Sequence, residues 1–89
     1  MVTTDTIEIP KLIKEIRIAL ILTQEELARI LDVNFITISR WERGLHTPRA
    51  RDLRALLRLA KKHGLDKATD STLHNIYIQL SKLVDVLRG

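Results

Sequence analysis

Apolar residues recur every three or four positions along most of this chain. The breaks between those runs hold residues that start and stop helices. Ile9, Ile13, Ile16 and Leu20, with Leu12 beside them, form the first stripe. Pro10 suits a first helical turn, where a missing N–H costs little. The pattern predicts a helix over about 10–21. Thr23 follows as an N-cap with Glu26 three residues on, a capping box, and Leu27, Ala28 and Leu31 form the next buried stripe over about 24–31. Asp32 tolerates the positive φ that a tight turn asks for, Val33 plugs the turn, and Asn34 is a good N-cap. A short helix over about 35–43 buries Ile38 and Trp41 and ends at Gly44.

Thr47-Pro48 reads as the start of a fourth helix with Leu53, Leu56, Leu57 and Ala60 inward, and Gly64 ends it. Asp70 or Ser71 caps the last helix, about 71–88. There Leu73, Leu80 and Leu87 repeat every seven residues, with Ile76, Tyr77, Leu83 and Val84 among them. That seam suits a short dimer zipper or a helix packed on its own domain. The expected fold is all-α, a compact bundle of about five helices. Its expected parts are an arm (1–8), a helix-turn-helix domain (9–64), a linker (65–70) and a C-terminal helix (71–89).

Two short helices joined by "DVN", with small Ala28, plug Val33 and buried Ile38, have helix-turn-helix spacing. In that geometry the second helix enters the DNA major groove. Charge points the same way. The net charge is +4, yet residues 40–63 hold eight Lys/Arg against two Asp/Glu, and the rest hold seven against nine. One basic block on a slightly acidic remainder fits a polyanion partner, although a solvated surface would look alike. With 89 residues there is room for one core. No cysteine is present, which excludes disulfides and suits a reducing compartment. No signal peptide is visible, and "IALIL" is too short to span a bilayer. A cytoplasmic protein is expected, with no membrane role.

The stretch "LTQEELARILDVNFITISRWERG" followed by "TPRARDLRALL" resembles the Cro/C1-type helix-turn-helix family, the lambda-repressor-like DNA-binding domains. The likeness covers about residues 9–63. It implies a sequence-specific binder of double-stranded DNA, a transcriptional regulator acting as a homodimer on an inverted repeat. It implies base-facing positions at Phe35, Ile36, Ser39 and Arg40. It places phosphate contacts at Gln24, Asn34, Thr37, Arg43, Arg49 and Arg51, and pairs Arg17 with Glu42 in a structural salt bridge. Arg40 can fork onto guanine O6 and N7, whereas Phe35 and Ile36 can only pack on thymine methyls. The chain departs from the family where a polar residue is common (35 and 36) and where glycine is common (Ile21 and Asp32).

Other readings stand beside this one. An antitoxin would bind its own operator through the same domain and a toxin through another surface. A protein-interaction module would keep the fold and lose DNA reading, with Phe35 and Ile36 exposed for a partner. An enzyme comes last. His46, His63 and His74 have no second ligand at metal spacing, and Ser39 and Ser71 have no evident base. Three glycines in all leave no phosphate loop, so no metal or cofactor is expected.

Overall fold

The computed structural model describes residues 8–88, the side chain of Arg88 excepted. Five helices and no strand are found among the described residues: α1 (Ile9–Ala19), α2 (Gln24–Leu31), α3 (Phe35–Glu42), α4 (Ala50–Lys62) and α5 (Ser71–Arg88), with a 3-10 turn at Leu65–Lys67. Apart from Glu8, which is the N-cap of α1, the expected arm lies outside the described residues.

The core is aliphatic around one indole. Leu12, Ile13 and Ile16 of α1 meet Leu27 and Ala28 of α2, Ile38 and Trp41 of α3, and Leu53, Leu56, Leu59 and Ala60 of α4. Trp41 is therefore a packing residue. Helix α3 packs on α1 and α2, while α5 packs on α1 and α4.

Caps set the helix starts. Thr23 Oγ1 accepts from Glu26 N–H at 3.0 Å, and Glu26 Oε1 accepts from Thr23 N–H at 2.8 Å. Asn34 Oδ1 accepts from Ile36 N–H at 2.8 Å. Asp70, rather than Ser71, caps α5 by accepting from the N–H groups of Thr72 and Leu73.

Three helices end by one device. After α1, Leu22 N–H reaches back to Arg17 C=O and Ile21 N–H to Ile18 C=O. After α2, Val33 bonds to Ala28 and Asp32 to Arg29, and after α3, Leu45 bonds to Arg40 and Gly44 to Trp41. This paired closure is the Schellman motif, and it demands a left-handed residue. Ile21 (φ 58°), Asp32 (φ 59°) and Gly44 (φ 77°) supply it. Glycine does so freely and aspartate tolerably, but a β-branched isoleucine is strained there.

Several expectations change. Helix α1 stops at Ala19 instead of about 21, because the closure turns the chain at Leu20–Leu22. Helix α4 begins at Ala50, not at Pro48: Arg49 stays extended, and its N–H is taken by Asp52 Oδ2 at 3.1 Å. Leu59, not Leu57, completes the buried stripe of α4. The linker contains the 3-10 turn, with Leu65 buried.

The α5 seam is taken up within the chain. Ile76, Leu80 and Val84 are buried, Leu73, Tyr77 and Leu83 are half-buried against the same core, and Leu87 is exposed. A dimer zipper through Ile76 and Leu80 would require α5 to leave its own core.

Two substitutions test this packing. Leu80 is fully buried, so Leu80→Ala should cost about 2–5 kcal/mol in urea unfolding; a cost near zero would put α5 outside the core. Ile21→Gly should raise stability by up to about 1 kcal/mol, because relief of left-handed strain outweighs the backbone entropy that glycine loses; a clear loss would mean that the Ile21 side chain is held by contacts.

Candidate nucleic-acid interface

The exposed face of α3 follows from helical geometry. Ile38 and Trp41 point into the core, which turns Ile36, Arg40 and Arg43 outward, at spacings of four and three residues. Phe35 is also exposed, and Ser39 and Thr37 are half-buried on the flanks of this face. Neither Arg40 nor Arg43 has an ion pair among the described residues.

Thr37 borders a cleft of about 510 Å³ between α3 and the start of α4. Arg49 and Arg51 also line it, with His46 and Thr47. The cleft thus unites three of the expected phosphate contacts. His46 and Thr47 were missed as members of it, although their closeness to Arg49 in sequence was a usable signal. Asn34 and Arg43 are exposed outside that cleft.

Gln24 is placed differently from the other expected phosphate contacts. Its amide Nε2 donates to Glu42 Oε1 at 3.1 Å. Glu42 in turn binds Arg17 with both oxygens: Nε donates to Oε2 at 2.6 Å and Nη2 to Oε1 at 2.9 Å. Arg17 Nη1 donates to the Leu22 carbonyl at 2.9 Å. The side chains of Arg17 and Glu42 are 14% and 4% exposed. Hydrogen bonding to Glu42 holds the Arg17 pKa above its ordinary value, opposed by desolvation and aided by the carboxylate charge. A raised pKa contributes stability that is fully present below the unfolded arginine value and lost only above it. The arginine side of the pair is therefore no switch at physiological pH.

Among the described residues no group of three His, Asp or Glu side chains could hold a metal, and no helix is long and apolar enough to cross a membrane. The geometry is that of a helix-turn-helix whose second helix exposes Arg40, with Arg43 just after it. Comparison with family models matches residues 13–66 to one described as helix-turn-helix. The chain belongs to the Cro/C1-type helix-turn-helix family. This is a family of DNA-binding transcriptional regulators. No curated protein and no solved structure matches the chain.

In this family member the α2–α3 pair is held from outside the turn, through Glu42. A double-mutant cycle of Arg17→Ala and Glu42→Ala should give a coupling of about 1–3 kcal/mol in urea unfolding. Additive effects would reduce the pair to an incidental contact.

Proposed function

We propose that this chain is a sequence-specific, double-stranded-DNA-binding transcriptional regulator that acts in the cytoplasm as a homodimer on an inverted-repeat operator. The observation that carries the reading is the exposed α3 face, with Arg40 and Arg43 free of ion pairs among the described residues, beside the cleft of Arg49 and Arg51. Ile36, Phe35, Ser39 and Arg40 face the bases in this reading. Thr37, Arg49 and Arg51 grip one stretch of phosphates, with Arg43 and Asn34 at the other flank of α3. Gln24 donates its remaining amide hydrogen to a phosphate while Glu42 holds the first.

Dimerisation uses a surface other than the inner seam of α5. Val86 and Leu87 are the exposed large apolar residues that α5 offers for it. A second reading, the antitoxin, draws support from Ile18 and Ile21, which are exposed at 57% and 88%. They give a toxin an apolar contact away from α3, and a stoichiometric partner recovered from the native host would favour it.

Selection of duplexes from a random pool at near-physiological salt should return an inverted repeat with half-sites about 10 base pairs apart. Arg40→Ala should then relax preference at one position, a discrimination of about 1–3 kcal/mol. Arg49→Ala should weaken binding to every sequence and lower the slope of log affinity against log salt by about 1. Recovery of no motif, even at low salt, would overturn DNA reading in favour of a protein-interaction module.

A further inference from the structure

The side chains that the first turn of α3 turns outward are apolar. Three of its backbone donors are already taken. Ile36 N–H goes to Asn34 Oδ1 at 2.8 Å, and the N–H groups of Thr37 and Ile38 go to the Asn34 carbonyl. The Asn34 side-chain oxygen is spent on this cap. Thr37, the first polar side chain inside the helix, turns toward the cleft of Arg49 and Arg51. Inside the helix, the outward side chains of this turn are Phe35 and Ile36, each 46% exposed, with the Asn34 amide nitrogen at the cap beside them.

One turn further on, the chemistry reverses. Arg40 stands four residues from Ile36 on the same face, and Arg43 follows it. An apolar pair followed along the helix by two arginines with no ion pair among the described residues is poorly suited to a neutral protein surface. It is suited to a groove walled by phosphates whose floor presents methyl groups. In the major groove the one apolar group on a standard base is the C5-methyl of thymine. The same position carries the added methyl of 5-methylcytosine.

Resting on the DNA-binding reading above, we infer that Phe35 and Ile36 make the first turn of α3 a reader of pyrimidine C5-methyl groups, thymine or 5-methylcytosine, with Arg40 reading guanine beside it. One helical turn is about 5.4 Å and one base step about 3.4 Å. The methyl therefore falls about one to two base steps from that guanine. Removing the methyl leaves every hydrogen-bonding group of the base in place, so only an apolar contact responds to it. Binding also becomes sensitive to cytosine methylation at this position.

The test is a pair of selections with the full chain, one from a random pool made with thymine and one from a pool made with deoxyuridine. Affinities are then measured on the duplex recovered. A motif from the thymine pool should lose affinity about fourfold for each methyl removed at the positions facing Phe35 and Ile36, from the transfer value of one buried CH₂. Cytosine placed there should gain a similar factor when methylated at C5. Ile36→Ala should shrink the thymine-to-deoxyuridine ratio toward one; because a ratio is read, a general change in affinity does not disturb it. The same motif from both pools, with equal affinities, would overturn methyl reading and leave DNA reading standing. No motif from either pool would overturn both.

Discussion

The Glu42 carboxylate joins three helices. Its Oε2 takes Arg17 from α1, and its Oε1 takes both Arg17 and the first residue of α2, Gln24. The same arginine closes the α1–α2 connection through the Leu22 carbonyl. A partly buried charge is costly unless it is paired and its remaining sites are filled. Here the guanidinium fork and the Gln24 amide fill them. The hub ties α3 to α1 and α2 at its polar edge, while burial of Ile38 and Trp41 sets the direction in which Ile36 and Arg40 face.

The helix ends show how the chain turns in so few residues. Each closure returns two backbone N–H groups to the helix just finished, so the reversal leaves few orphaned carbonyls. The cost falls on the left-handed residue. Gly44 bears it easily, and Asp32 bears it within the turn that sets α3 against α2. Ile21 bears it badly, and its side chain stands in solvent. Strain and an exposed apolar side chain on one residue mean that local stability was not the quantity optimised there. This is why Ile21 supports the second reading more than any other exposed residue.

The candidate interface divides labour by physics. Arg43, Arg49 and Arg51 present charge that acts over about 8–10 Å at ordinary salt, which suits capture and positioning on phosphates. Phe35 and Ile36 act only on contact. Arg40 lies between these two modes, charged yet able to hydrogen-bond in a fixed fork. The Arg49 and Arg51 cations also sit near the start of α4, where Asp52 satisfies the backbone and moderates the local charge.

What was legible in the sequence was local. Thr23 with Glu26, Asn34 and Asp70 mark helix starts because a cap and its target lie two or three residues apart. The stripes of α1, α2 and α3 were legible because their period is a property of the helix itself. The charge block of 40–63 and the helix-turn-helix spacing pointed to the α3 face for the same reason. The family likeness supplied the pairing of Arg17 with Glu42, which spacing alone could not. The tertiary structure decided what depends on residues distant in sequence. A seven-residue repeat in α5 serves a second chain or its own core equally well, and only the free faces of α1 and α4 made it core. Leu59 is buried because α5 and the 3-10 turn cover α4, which widens the stripe beyond what its own period indicates. Thr37, His46 and Arg49 share a cleft because the closure at Gly44 folds the chain back beside α3. Caps and periods act within a turn or two of helix, and burial is settled by whatever arrives from elsewhere to exclude water.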